Sequence, residues 1–568
     1  MAPADAISAL QQLCEDSQPA PETAVNIASA LLSYEQVETA DQLIKQLLET
    51  HPNFGPGWAR QSEILLKKGR AEQALEAARK GTSLNPTDEF CRLCLGIALK
   101  AVGRVSEATI ALAQCLNVAT PKAAAFSHYG LALSQQGRHA MALDALSRAR
   151  TLEPDNSQHA SNWLMTQQYL PQASSAELKS AALEFGRSQV SAASLPITAI
   201  AGKPQIGIIS SDLYHHPVGL FLLPVLRAAA MLPGQIPWRL YHDSPRCDAV
   251  TEDLKRSAAN YIQTGHLNDT QLAEQISADG TQVLIELNGH SALNRLAAMA
   301  QRLSPVQLSW LGYPASTGLN SIDGVLIGQD HLNSATPGYF VEPIIPLPGC
   351  HLLYPLDNSS AATQARQPGP IRLGCFNNSA KINSMVLDAW AAVMQRLPSA
   401  TLLLKWRSFS DPEYRRHLQS QMKIRGIEPT RITFEGHTPH ADMMGRYRDV
   451  DIALDTFPFN GGLTTCEALS MGTPVVSMAW SRPVSRQGAA ILNALGHPEW
   501  VTETRQQYVS AAADLASDTH RLEELRSRLP IELFDYQERQ APRLAASINE
   551  HSARLLAGMA TDATSVQA

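Results

Sequence analysis

At 568 residues with a formal charge of -7 and charges of both signs interspersed, the chain exceeds what one hydrophobic core serves, so about two to four domains are expected. That charge balance argues against a general nucleic-acid or anionic-membrane binder, which needs a basic face, leaving an uncharged or polypeptide partner as the better fit. Eight cysteines are scattered along the chain. The close pair Cys91 and Cys94 reads as reduced core residues on one helix face, because no second Cys/His pair completes a ligand set. The opening Met-Ala-Pro-Ala-Asp-Ala carries no basic patch followed by an apolar stretch, and no apolar run reaches membrane-spanning length, so a soluble, cytoplasmic protein is expected.

Self-similarity dominates the first quarter. Gly69-Arg70, Gly103-Arg104 and Gly137-Arg138 recur every 34 residues, as do Ala40, Ala74, Ala108 and Ala142, with Pro52, Pro86, Pro121 and Pro154 at nearly the same interval. Glycine permits a turn between two helices and alanine lets the second pack closely on the first, so residues 1–160 resemble a tetratricopeptide array. A polar, alanine-rich helical connection is expected over 161–200.

The texture then changes to strands alternating with helices. Strands are expected at Gln205–Ser210, Val283–Leu287, Ile371–Phe376, Ala400–Lys405, Arg431–Phe434, Val450–Leu454 and Pro474–Met478, with a linker over 359–370 and a final helix over Asp535–Met559. This alternation predicts two Rossmann-like α/β lobes, 201–358 and 371–568, separated by a cleft, with the final helix packing back across them.

The strongest local signal is Asp455 to Glu467, which reads as strand end, glycine turn and helix start. Gly461 and Gly462 let the backbone approach a ligand, while Thr464 and Thr465 add hydroxyls beside free helix N–H groups that attract phosphate. An ordinary strand-turn-helix with a threonine cap has the same residues. Lys381 leaves the carboxyl end of the first strand of the second lobe, where it can neutralise a diphosphate, and Glu467 can accept hydrogen bonds from ribose hydroxyls or complement the helix dipole. In the first lobe, His216 follows a strand and precedes Pro217, placing a general base, a sugar-orienting group or simply a loop cap at the cleft. Leu287-Asn-Gly-His290 and the run containing Gly312, Tyr313 and Pro314 are similar strand exits, expected to line the cleft.

The ordered set Ser-Ser-Asp…His-Pro, Leu-Gly-Tyr-Pro, Phe-Asn…Lys and Asp-Thr…Asn-Gly-Gly…Thr…Glu…Gly-Thr-Pro, following the repeats, resembles the nucleocytoplasmic O-GlcNAc transferase family in a bacterial version. The resemblance covers essentially the whole chain. It implies a tetratricopeptide superhelix followed by a two-lobed GT-B fold. It also implies metal-free, inverting transfer of GlcNAc from UDP-GlcNAc to Ser or Thr hydroxyls of intracellular polypeptides, with no further cofactor and acceptors lying along the repeat groove. Carried over by position, Lys381 contacts the diphosphate, Asn378 lies beside it, and His216 lies near the sugar. Thr438, His440, Asn460, Gly461, Gly462, Thr464, Thr465 and Glu467 complete the nucleotide-sugar set. Gly462 and Leu463 replace a His-Thr pair, and His440 and Met443 stand where a lysine and a uracil-stacking histidine occur. These departures keep two alternatives in view: another donor or acceptor on the same fold (GDP-fucose to Ser/Thr, UDP-glucose to Asn), or a weakly catalytic repeat scaffold. Asp449-Val-Asp451 has the spacing used by metal-dependent transferases, but it opens a strand, away from the ligand rim, so no catalytic metal is expected there.

Overall fold

The structure is a computed structural model that describes residue 10 and residues 19–189, 204–234, 236–356 and 369–565, with side chains to residue 558. The opening Met-Ala-Pro-Ala-Asp-Ala and most of the 359–370 linker lie outside the described residues. The chain divides into two compact units, residues 1–154 with 407–416, and 155–406 with 417–568.

The first unit contains four antiparallel helix pairs among the described residues: Pro21–Ser33 with Val37–Thr50, Gly55–Lys67 with Ala71–Leu84, Glu89–Ala101 with Val105–Leu116, and Ala123–Gln135 with His139–Leu152. Each first helix ends in one left-handed residue. Gly69, Gly103 and Gly137 have φ of 73°, 86° and 73°, and Glu35, at 56°, occupies the same column in the first pair. In all four, the following N–H reaches back to a helix carbonyl (Gln36 to Leu31 O, Arg70 to Leu65 O, Arg104 to Leu99 O, Arg138 to Leu133 O), which closes the helix end. The column alanines Ala40, Ala74, Ala108 and Ala142 are fully buried. Cys91 and Cys94 pack against Ala59, and burial pushes the Cys91 thiol up to about 12, so both behave as small apolar core residues. The segment 407–416 joins this unit through Asp411. Its Oδ2 accepts from Ser106 N at 2.6 Å while its Oδ1 accepts from Glu413 N and Tyr414 N, so one carboxylate serves the N-termini of two helices.

In the second unit, the helices Ser157–Gln167 and Ser175–Ser188 come first, the latter opened by a Ser174/Glu177 capping box. A seven-stranded parallel sheet follows: β1 Ile206–Ser210, β2 Trp238–His242, β3 Asn260–Gln263, β4 Val283–Glu286, β5 Val306–Trp310, β6 Gly324–Gly328 and β7 Ile344–Leu347, ordered β3-β2-β1-β4-β5-β6-β7. The second sheet is also parallel: β8 Arg372–Cys375, β9 Thr401–Lys405, β10 Ile432–Glu435, β11 Ile452–Leu454, β12 Val475–Met478 and β13 Val501–Thr502, ordered β10-β9-β8-β11-β12-β13. All seven expected strands are present, shifted by a residue or two. Six described strands were not expected, β2, β3, β5, β6, β7 and β13; of these, β6 is bounded by glycines, β13 has two residues, and β7 carries Pro346, tolerated because β7 is an edge strand. In both sheets the order reverses beside the first strand, between β1 and β4 and between β8 and β11, which opens a crevice at the strands' carboxyl ends.

The last helix runs over Thr519–Ser565, starting well before the expected Asp535 because Pro530 and Pro542 lie inside it rather than marking its ends. Ala541, Leu544, Ala545 and Ile548 enter the first lobe's core with Ile208, Ile285 and Leu308, whereas Arg526 reaches into the second lobe. No described helix is long and apolar enough to cross a membrane.

Candidate functional site

In the second lobe, the β8/β11 crevice is organised by Asp455. Its carboxylate accepts from Thr456 N (2.8 Å), Gly461 N (2.7 Å), Asn377 Nδ2 (3.3 Å) and Ser477 Oγ (2.6 Å), which folds residues 455–461 into a tight turn at the end of β11. The Phe457–Pro458 peptide bond in this turn is cis. Burial raises the Asp455 pKa, and those donors, together with Lys381, counteract the shift.

Lys381 converges on the same turn. Its Nζ donates to Asn460 O at 2.7 Å and to Asn377 Oδ1 at 3.2 Å, and lies 4.6 Å from the centroid of the Phe459 ring. Desolvation pulls its pKa down to about 8, with Asp455 opposing at longer range. Asn377 Oδ1 also accepts from Thr464 Oγ1 at 2.9 Å, so one amide ties the lysine, the carboxylate and the start of the helix Leu463–Ser470 together. A side chain at Gly461 would meet Thr464 Oγ1 at 2.5 Å and Asn377 Oδ1 at 3.1 Å, which is why glycine stands there.

At the far side of that helix, buried Glu467 accepts from His440 Nε2 at 3.0 Å, and burial raises the carboxyl's pKa. The His440 ring meets His215 of the first lobe edge-on, with centroids 4.4 Å apart, so this pair joins the two crevices.

The β1/β4 crevice is built around Asp212 and Asn288. Asn288 Nδ2 donates to Asp212 Oδ2 at 3.0 Å, Asn288 Oδ1 accepts from Ser211 N, and Tyr214 OH donates to Asp212 Oδ1 at 3.4 Å. Burial pushes the Asp212 carboxyl up to about 6. His216 caps the helix Pro217–Met231: its Nδ1 accepts from Val218 N at 3.4 Å and lies 3.6 Å from Asp212 Oδ2. Burial, reinforced by Arg246 and His215, lowers its pKa to about 4, so the ring is neutral near pH 7. With Nδ1 accepting from Val218 N, Nε2 is the ring nitrogen left to carry the proton of the neutral imidazole.

Several expected residues have other tasks. Asn460 turns its side chain inward, donating from Nδ2 to Thr456 O and Met478 O, so only its backbone oxygen faces Lys381. Thr465 Oγ1 donates to Gly461 O inside the helix start. Asn378 caps the short turn Ser379–Lys381 through Ala380 N, and its neighbour Asn377 makes the linking contacts; the Asn-Asn pair gave no pattern for choosing between them. His290 and Tyr313 do not line the cleft. His290 bridges Ser161 Oγ and Thr317 O and lies edge-on to Phe185 and Tyr313, while Tyr313 OH accepts from Gln168 Nε2, so both pack against the helical connection. Gly312 and Pro314 remain half-exposed, and a Cβ on Gly312 would strike Leu287 O. The Thr438 hydroxyl is buried with no hydrogen-bond partner among the described residues. Asp451 is held by Arg372 (Nη2 3.0 Å, N 2.8 Å) and Arg526 (3.1 Å), and Asp449 pairs with Arg446, so that carboxylate pair is a structural ion network on the strand's entry side. Asp455 and Asn377 were missed as site residues, although both flank the glycine-turn and lysine motifs.

Two Rossmann-like lobes with a crevice at each switch point, one floored by a half-buried lysine at a glycine turn, make this the GT-B class of fold. The whole chain superposes on the structure of a Thermobaculum terrenum O-GlcNAc transferase mutant (TM-score 0.78, 23% identity, 99% of each chain). The chain belongs to glycosyl transferase family 41, whose model matches residues 190–336 and 363–538. It is similar to a probable UDP-N-acetylglucosamine-peptide N-acetylglucosaminyltransferase SPINDLY of Hordeum vulgare, 32% identical over 394 residues that make up 66% of this chain and 41% of that protein. It is also similar to the UDP-N-acetylglucosamine-peptide N-acetylglucosaminyltransferase of Caenorhabditis elegans, 22% identical over 455 residues, with 57% of this chain and 38% of that one covered. The chain thus spans about two-fifths of the length of these relatives.

Proposed function

We propose that this protein transfers GlcNAc from UDP-GlcNAc to Ser or Thr hydroxyls of polypeptides, with inversion and without a metal ion. The observation that carries the reading is the convergence of Lys381 Nζ, the Asn460 carbonyl and the Gly461–Thr464 helix start on one crevice. Departure of UDP concentrates negative charge on the phosphate oxygens, and a desolvated ammonium beside free helix N–H groups stabilises that charge without reorganising. Glu467 then serves the ribose hydroxyls, which requires His440 either to share the carboxylate or to swing aside. His216 Nε2–H orients the sugar or acceptor; an oxocarbenium-like centre accepts a neutral hydroxyl, so no base needs to act before attack. Because the Asp449/Asp451 carboxylates are engaged by arginines, charge neutralisation falls to Lys381. The donor and the peptide acceptor follow those of the UDP-N-acetylglucosamine-peptide N-acetylglucosaminyltransferases it is similar to, and the repeat array is the natural carrier of extended acceptor segments.

Calorimetric titration of the full chain with UDP, GDP and UDP-GlcNAc, followed by transfer assays with and without EDTA, tests this. The expectation is UDP and UDP-GlcNAc binding, with transfer insensitive to EDTA. Preference for GDP would replace the donor, and loss of transfer in EDTA would return a metal to the mechanism.

A further inference from the structure

The helical connection preceding the first lobe reaches the donor crevice. Between the helices Ser157–Gln167 and Ser175–Ser188, the turn 168–173 is held from both lobes. Gln168 Nε2 donates to Tyr313 OH of the first lobe at 3.2 Å, while the buried guanidinium of Arg482 in the second lobe donates to Gln168 O, Leu170 O and, at 3.0 Å, Ala173 O. Burial lowers the Arg482 pKa, and these carbonyls give the desolvated guanidinium its hydrogen-bond partners. The next residue, Tyr169, stacks on Phe459, with centroids 5.1 Å apart and planes 24° apart. Phe459 belongs to the Asp455–Gly461 turn and carries the Lys381 ammonium over its ring. Side chains separated by some 210 and 290 positions in sequence thus form one stack: Tyr169, Phe459, Lys381.

We propose that Tyr169, anchored through Arg482, is a positioning residue that sets the place and hydration of the Lys381 amine, so that the helical connection forms part of the donor site. The inference rests on the transferase reading for its catalytic consequence, but its structural content does not. Phe459 shields the ammonium from water on one side, and its position is fixed by the Tyr169 ring. Remove that ring and Phe459 gains freedom, water reaches the amine, and the desolvation that holds Lys381 near 8 relaxes toward the ordinary lysine value. Asp455 and Cys375 are the titratable groups whose fields act on the amine, and both raise its pKa against the desolvation.

The test needs no donor. In the full-length protein, the pH dependence of Lys381 acetylation by acetic anhydride, read by peptide mass spectrometry, reports the amine's titration midpoint. Tyr169→Ala should move that midpoint upward by about one pH unit, while Tyr169→Phe leaves it in place; Phe459→Leu, which keeps apolar bulk without the aromatic face, should move it as Tyr169→Ala does. Turnover on UDP-GlcNAc should fall about tenfold in Tyr169→Ala with donor KM changed less than about threefold, because the charge acts mainly in the transition state. An unmoved midpoint in both Tyr169→Ala and Phe459→Leu overturns the proposal. So does an equal shift in Tyr169→Phe, which would assign the effect to the hydroxyl. If wild-type protein binds no UDP but the midpoint shifts as described, the function reading fails and the stack stands.

Discussion

In the repeat unit, one column of residues performs one task four times over: Glu35, Gly69, Gly103 and Gly137 all end a helix in the left-handed region, and the alanines five positions later all disappear into the next packing face. In the two-lobed unit no position repeats, and the decisive contacts join residues about 80 apart, as Lys381 and Asn460 do, or about 290 apart, as Tyr169 and Phe459 do. The difference concerns how damage spreads. A repeat stacks on its immediate neighbours, so a substitution there should cost stability locally and leave the chemistry alone. A residue of the crevice holds several others at once, so its loss should disturb chemistry with little effect on global stability.

The largest effect that would sharpen this contrast is Lys381→Ala, expected to cost about 2 to 4 kcal/mol of transition-state stabilisation, or roughly thirty- to a thousandfold in turnover, with an unchanged unfolding midpoint. Near-normal turnover would remove the lysine from its assigned role. Next comes the neighbouring asparagine pair. Asn377→Ala removes the amide shared by Lys381, Thr464 and Asp455 and should weaken UDP binding by about 1 to 3 kcal/mol, whereas Asn378→Ala, which loses only a local cap, should stay within about 1 kcal/mol of wild type. Equal losses in calorimetry would erase the distinction between the two.

The pH profile follows. A lysine pulled down to about 8 loses its charge as pH rises through that value, so transfer should be maintained below it and decline about tenfold per unit above it. A flat profile to pH 10 would show that the charge is not used.

The smallest effects lie in the repeats and compare two members of one column. Gly69→Ala meets nothing within 4 Å and should cost only the left-handed backbone strain, about 1 kcal/mol. At Gly103 the added carbon would lie 2.1 Å from Arg407 O in the segment 407–416, so Gly103→Ala should cost more than Gly69→Ala in urea unfolding. Identical costs would mean that 407–416 yields freely and that the column is purely local after all.

The lysine, the glycine turn and the Ser-Ser-Asp…His-Pro run were readable because each follows a buried strand, and a strand's carboxyl end is where parallel sheets place ligands. What misled were polar residues beside glycines. His290 and Tyr313 carry the signature of a cleft wall, yet their partners Ser161 and Gln168 come from a helix far upstream that covers them. His216 lies at the β1/β4 crevice, but the engagement of its Nδ1 follows from the Val218 N–H, a contact made only once the helix after Pro217 has formed.

The chain's own pattern determined the 34-residue period, the two strand-and-helix lobes and the motif at the end of β11, because helix and sheet periodicity and glycine backbone freedom act over a few residues and leave a local trace. Only tertiary structure decided that Asn377 rather than Asn378 links the crevice, that Asp451 belongs to Arg372 and Arg526, and that Tyr169 reaches the Asp455–Gly461 turn. Those choices depend on which distant side chains share a small desolvated volume, and that is set by packing rather than by neighbours in sequence.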